Sequence, residues 1–350
     1  MSRPSEQLKG YVLNGWTVVE PIMRYPGQTG AQFSVGYIVE KNGTKAFLKA
    51  MDYGRAVRAK DPTSELQKIT AAIVFERDIL IACAAQSLSK VVRLLDHGSA
   101  YLTGHENNLM ALVQYFVFEL AEGDVRKYVN LGSDIDAVWT LKAMHQTAIA
   151  LNQLHSIGAV HQDLKPSNVL TMRASNASTA SNLKLADLGC GATRRGPINP
   201  RSEWVVAGDP DYAPLEALYS YTPADWVDRR EACDAYLLGS MLSYFFCGIG
   251  MTQSVVLHLD TSLYPSQWKG NYADLMPMLN NAHAKAVEDV STHFPKAINL
   301  ELKRILLELT MPDPHVRGDP KARSLTGRPV GLDRYISRFN RLSMSTALRR

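Results

Sequence analysis

The sequence predicts an α+β protein in two parts, a small antiparallel β-sheet with one major helix followed by a mostly helical region. Three observations predict it. Short β-branched or aromatic runs fill the first 120 residues, and one long amphipathic stretch interrupts them. Beyond residue 123 the apolar residues recur at helical rather than alternating spacing. At 350 residues, 46% hydrophobic and 21% charged, the chain suffices for one large two-lobed domain or two ordinary ones, and is too apolar to be disordered.

Residues 1–15 read as an N-terminal extension and 16–120 as the sheet-rich part. Within it, 16–23, 33–52 and 109–120 are strands, and Lys-Asn-Gly-Thr at 41–44 is a hairpin turn. Residues 63–85 carry the major helix. The second part, 121–320, opens with a helix that Ser133 caps and Gly158 ends. Val138, Leu141, Met144, Ala148, Leu151 and Leu154 lie three or four apart and form its buried stripe. The polar, Ser-rich stretch 172–182 reads as a hairpin loop, and helices return at about 231–247, 275–291 and 298–311. Residues 321–350 form a basic helix or tail.

The net charge of +4 is too small to indicate nucleic acid. Residues 317–350, however, hold eight Arg and one Lys against two Asp. That end is either a solvated helix and tail or a contact for an acidic partner. Cys83, Cys190, Cys233 and Cys247 form no CxxC pair and have no His at metal spacing, which points to a reduced, cytoplasmic protein. The N-terminus has no apolar core of the signal-peptide kind. Residues 235–259 contain no Asp, Glu, Lys or Arg and are long enough to cross a bilayer, but their glycines and hydroxyls predict a buried core helix and a loop instead.

The chemistry concentrates in "VHQDLKPSNVL" at 160–170, between a long helix and a strand that ends at Asp187. Phosphoryl transfer needs a carboxylate to orient the attacking hydroxyl, a cation near the transferred phosphate, and oxygen ligands for Mg²⁺. Asp163, Lys165, and the pair of Asn168 with Asp187 supply these in that order.

"HQDLKPSN" followed by "DLG" resembles the catalytic loop and Mg²⁺ motif of the eukaryotic-type (Hanks-like) serine/threonine protein kinases, and the likeness runs from about Trp16 to Pro320. It implies a bilobal fold, ATP and Mg²⁺ as cofactors, and a protein substrate. Lys49 in "AFLKA" then corresponds to the lysine that holds the α- and β-phosphates, and Glu76 in "FERDIL" to its helix partner. "FVFEL" resembles the hinge, with Phe118 as gatekeeper and the backbone of Glu119 and Ala121 facing adenine. Phe47 and Leu170 fall at positions that flank the base, and Gly27, Gly30 and Ser34 in the glycine-rich loop. Asp234 matches the aspartate that braces the catalytic loop, and Arg317 the arginine that pairs with the glutamate closing the activation segment, here Glu216.

Several positions depart from the family pattern. Gln162 replaces the arginine that usually waits for an activation-loop phosphate, so this is a non-RD variant whose activity is expected not to depend on that phosphate. Residues 187–216 offer only Thr193 and Ser202 as serine or threonine acceptors. The glycine loop, with Gly27, Gly30 and Gly36, lacks a clean GxGxxG. Phe47 stands where the family has a small residue, and Asp209 replaces a threonine, where it would attract Lys165 or repel Asp163. Two alternatives stay open beside an active kinase. One is a pseudokinase scaffold that binds nucleotide and partners without turnover; the other is a small-molecule phosphotransferase.

Overall fold

Asn42 and Gly43 both take positive φ, 51° and 75°, and bring Lys41 opposite Thr44. Two such residues give the hairpin turn whose twist matches that of its strands. The computed structural model describes residues 3–22, 34–105, 108–129, 135–172, 182–196, 198–200, 206–325 and 330–349. Gly27, Gly30, Ala31, Ser133, Ser202 and residues 173–181 of the Ser-rich stretch lie outside them. Two compact units emerge, Met1–Glu122 and Gly123–Arg350.

The first unit is an antiparallel sheet in the order β1-β2-β3-β4-β6-β5. Its strands are β1 (Val12–Leu13), β2 (Trp16–Pro21), β3 (Ser34–Lys41), β4 (Thr44–Asp52), β5 (Leu94–Tyr101) and β6 (Leu112–Glu119). Alternation sends Tyr37, Val39, Leu48, Ala50, Val113, Tyr115 and Val117 into one core. Leu8, from the expected N-terminal extension, is fully buried in that same core, so the first residues belong to this unit. Strand β5 is missing from the sequence reading. It is an edge strand with a bulge between Leu94 and Asp96; in "LLDHGSAY" the exposure alternates only beyond that bulge, and Gly98, Ser99 and Ala100 give the alternation no hydrophobic contrast. After α1 (Gly54–Val57) comes α2 (Pro62–Ala85). Asp61 caps α2 by accepting the Ser64 N–H at 3.1 Å, and Pro62 occupies its first turn. Its buried side chains are Phe75, Glu76, Ile79, Leu80 and Cys83.

β7 (Ala121–Asp124) leads into the second unit, where α3 (Ala137–Ser156) buries all six residues of the predicted stripe. Its cap is Asp136, which accepts the Trp139 N–H at 3.0 Å, one turn beyond the expected Ser133. Gly158 follows the helix end at φ 70°, as a chain reversal there requires. Next come β8 (Ala159–Val160), β9 (Val169–Met172), β10 (Asn182–Leu185), β11 (Ala192–Thr193) and α4 (Leu215–Leu218).

Helix α5 (Ala232–Cys247) buries fourteen of its sixteen residues and packs on α3 and on α7 (Tyr272–Ser291) and α8 (Asn299–Thr310). That burial explains the uncharged stretch at 235–259. Gly248 stops the helix at φ 83°, and the short α6 (Met251–Val256) follows where a loop was expected. Among the described residues no helix is long and apolar enough to cross a membrane.

The basic C-terminus is a docked helix rather than a solvated tail. After α9 (Pro320–Leu325), α10 (Leu332–Ala347) lies along α3 and buries Tyr335, Phe339 and Leu342. Its arginines meet carboxylates of the same unit: Arg338 with Glu301 (2.8 Å) and Glu308, Arg341 with Glu301 (3.3 Å), and Arg334 with Asp319 (3.4 Å).

Candidate active site

Two short ladders bracket the loop from His161 to Asn168. β8 pairs with β11, and β9 with β10 through Val169 opposite Leu185. Between them the loop has little regular structure, so other groups must satisfy its backbone. Asp234 of α5, with no exposure, does most of this. Its Oδ2 accepts the His161 N–H at 2.9 Å and a bond from His155 Nε2 at 2.9 Å, and its Oδ1 accepts the Gln162 N–H at 2.8 Å. Gln162 is thereby held at φ 59°, a sparsely populated region for a side-chain-bearing residue. His161 is fully buried. Its Nδ1 accepts the Asp163 N–H at 3.2 Å, which leaves Nε2 to donate to the Ala186 carbonyl at 3.0 Å.

The Asp163 carboxylate is supported on both oxygens. Oδ1 accepts the Asp209 N–H at 2.8 Å, while Oδ2 accepts Asn168 Nδ2 at 3.1 Å and faces Lys165 Nζ at 3.2 Å. Asn168 also donates to the Asp163 carbonyl at 2.8 Å, which aims its amide nitrogen inward. Burial pushes the Asp163 carboxyl above the usual carboxylate range, and nearby Asp187 pushes the same way; Lys165 opposes both. Lys165 is shared, because Asp209 Oδ2 lies 3.2 Å from its Nζ. Burial pulls the Lys165 ammonium down, but the two carboxylates outweigh that and hold it above its ordinary value. Asp209 therefore attracts Lys165, and its backbone amide holds Asp163 rather than repelling it. Gly208 makes the approach possible: a Cβ there would fall 2.6 Å from Asp163 Oδ1.

Asp187 sits at φ 62°, ahead of a 3₁₀ turn at Leu188–Cys190. Asn199 is buried and fastens that turn by donating to the Gly189 and Gly191 carbonyls at 3.0 and 2.7 Å. Gln162 Nε2 donates to the Cys190 carbonyl at 3.1 Å, and Gln162 Oε1 accepts from Arg230. At the far end of the segment, Arg317 forms two bonds to Glu216, at 2.7 and 2.8 Å, with both side chains buried.

In the first unit, Lys49 Nζ lies 2.7 Å from Glu76 Oε1, joining β4 to α2. Phe47 stands opposite Phe118 in the β4–β6 ladder and their rings stack at 6.3 Å, with Phe116 edge-on to Phe118 at 6.1 Å. A Cβ on Gly36 would fall 2.8 Å from the Phe47 ring. Gly36 thus makes room for Phe47, which accounts for the glycine without a phosphate. Ser34 begins β3 and is buried. The Glu119 carboxylate accepts the Arg93 N–H at 2.7 Å, Ala121 opens β7, and Leu170 lies half-buried in β9 opposite Lys184.

Sequence reasoning brought together Lys49 with Glu76, and Asp163 with Lys165 and Asn168. It missed Gly208, Asn199 and Arg230. The Asn-Pro dipeptide at 199–200 signals a turn but not a buried clamp. Arg230 carries no local signal at all.

The sequence matches the family described as "Protein kinase domain" over residues 55–322. It is similar to human Rho-associated protein kinase 1, 28% identical over 179 residues, covering 51% of this chain and 12% of the relative. It is also similar to the serine/threonine-protein kinase greatwall of Canis lupus familiaris, 24% identical over 232 residues, with coverages of 62% and 23%. Aurora kinase B of Drosophila melanogaster is 26% identical over 268 residues, with coverages of 71% and 75%. The chain thus spans well under two thirds of the first two relatives.

Proposed function

The chain belongs to the protein kinase domain family, and from that premise we propose that it transfers the γ-phosphate of ATP to serine or threonine hydroxyls of a protein substrate. The observation that carries this reading is the carboxylate of Asp163. Two hydrogen-bond donors and an ammonium fix it, and burial and Asp187 raise its proton affinity, which suits a group that orients and then accepts a hydroxyl proton. Lys165 steadies the transferred phosphate, and Lys49, set by Glu76, positions the α- and β-phosphates. Ser34, Phe47, Phe118, Glu119, Ala121 and Leu170 complete the nucleotide-binding set, with Gly27 and Gly30.

Mg²⁺ fits the donor chemistry. Among the described residues no group of three or more His, Cys, Asp or Glu could hold a metal alone. Asn168 and Asp187 offer two hard oxygen donors, the small protein share Mg²⁺ takes when phosphates supply the rest. The ion would neutralise charge on the phosphates. Four free cysteines, two of them buried, fit a reducing compartment such as the cytoplasm.

Activity in this reading does not wait for a phosphate on the activation segment, because Gln162 is neutral and already bonded at both ends of its amide. The test is phosphate transfer from labelled ATP to a mixed protein acceptor, with phospho-amino-acid analysis and the Asp163→Ala chain as control. Phosphoserine or phosphothreonine from the wild type alone supports the reading, and a Thr193→Ala/Ser202→Ala chain should retain it. A second reading, a nucleotide-binding scaffold without turnover, is favoured only by the Phe47 ring stacked on Phe118. Saturable ATP binding with no transfer to any acceptor would establish it instead.

A further inference from the structure

We propose that Arg230 is a positioning residue for the catalytic loop, supplying from the start of α5 the cation that position 162 lacks. The inference rests on the phosphoryl-transfer reading of Asp163. Arg230 lies in a π-helical turn, Val227–Glu231, that runs directly into α5. Such turns are uncommon and concentrate at functional sites. It precedes Asp234 by four residues, and both groups reach the same place. Asp234 holds the main-chain N–H of Gln162, and Arg230 holds the side chain.

The bonding polarity of this chain is fixed. A guanidinium only donates and a carbonyl only accepts, so the Gln162 amide has one orientation, Oε1 to Arg230 and Nε2 to Cys190. The line of bonds runs from the turn that precedes α5 through Gln162 to the turn that follows Asp187. Asp234 keeps Gln162 at φ 59°, which aims its side chain along that line. Burial pulls the Arg230 guanidinium down to about 10, with Arg229 adding to the effect, so it remains charged at neutral pH. Sequestering a cation there is costly, and Asp234 offsets part of that cost. An arginine at position 162 would need an added anion to settle it. Here the cation and its acceptor both come from the fold, and the loop is ordered without modification.

The experiment uses the full chain as Arg230→Gln, Arg230→Lys, Gln162→Ala and the Arg230→Gln/Gln162→Ala double substitution. Two quantities are measured: kcat and KM for ATP with a histone mixture as acceptor, and deuterium uptake of the amides at 161–165 and 187–191. Losing one hydrogen bond from a charged donor predicts that Arg230→Gln lowers kcat about tenfold and speeds exchange in both segments. KM for ATP stays within about twofold, since the loss falls on orientation rather than on ground-state binding. Arg230→Lys recovers most of the activity. The double variant is no worse than either single one, because both act through one line of bonds.

Unchanged kcat and exchange in folded Arg230→Gln would overturn the proposal, as would additive losses in the double variant. Should Arg230→Gln fail to fold, Gln162→Ala decides: normal kcat and exchange in that chain also overturn it. A wild type that transfers no phosphate at all would refute the phosphoryl-transfer reading instead. The exchange measurement then judges the brace by itself, faster uptake supporting it and unchanged uptake ending it.

Discussion

Replacing Arg317 by methionine should destabilise the second unit by about 4 kcal/mol, the range for breaking a buried ion pair. The magnitude follows from what the guanidinium touches. It is fully buried and makes two bonds to Glu216 at 2.7 and 2.8 Å. It also donates to the carbonyls of Met311 (2.8 Å), Ala232 (3.1 Å) and Pro312 (3.3 Å), and its centre lies 4.9 Å above the Tyr236 ring. Methionine fills similar space but leaves a buried carboxylate and three carbonyls without this donor. For a unit of this size the loss corresponds to about 8–16 °C in Tm. Calorimetry and urea titration of the full chain both read it. Removing both charges, as Arg317→Met/Glu216→Leu, should recover much of the stability, since an apolar pair carries no uncompensated charge. Phosphate transfer should fall with the single change as well, because Glu216 anchors the segment from which Asp209 reaches Asp163. A loss below about 1 kcal/mol, or a double variant as unstable as the single one, would refute the reasoning.

In the proposed reaction Asp163 must be ionised to accept a proton, and burial raises its proton affinity, so the acid limb of the pH–rate profile should lie above the range of an ordinary aspartate. Lys165 lowers that affinity, so Lys165→Met should move the limb to still higher pH whatever it does to the maximum rate; a limb that stays put refutes this. His283 is buried against the Thr310 hydroxyl (2.8 Å), and burial pulls its imidazole down from 6.5 to about 4. The unfolded chain therefore takes up the proton first, and stability should fall as pH drops from about 6.5 to 4, by about 3 kcal/mol from this group. His283→Gln should flatten that slope in urea titrations at stepped pH. Gly36→Ala should cost about 1–3 kcal/mol by pressing a methyl into the Phe47 ring, and the same change in a Phe47→Ala chain should cost much less; an equal cost in both backgrounds would show that the clash is not with Phe47.

The parts of the site visible in the amino-acid sequence are those whose chemistry and spacing are local. Asp163, Lys165 and Asn168 lie within six residues, so their order alone indicates one loop. Lys49 on a strand and Glu76 on a helix face could be paired because each occupied an expected place along a resembling family. The long helices were equally readable, since the burial of Leu141, Met144, Leu151 and Leu154 follows from period alone. Only the folded chain decided the rest. β5 hides its alternation behind a bulge at Leu94 to Asp96 and a run of small residues. Gly36 needed its neighbour strand to show that it accommodates Phe47. The arginines of α10 look like a basic tail until α8 brings Glu301 and Glu308 against them. Gln162, read alone, is the loss of a charge. Arg230, sixty-eight residues away, returns that charge to the same loop, because packing α5 beneath the catalytic loop joins groups that no sequence period relates.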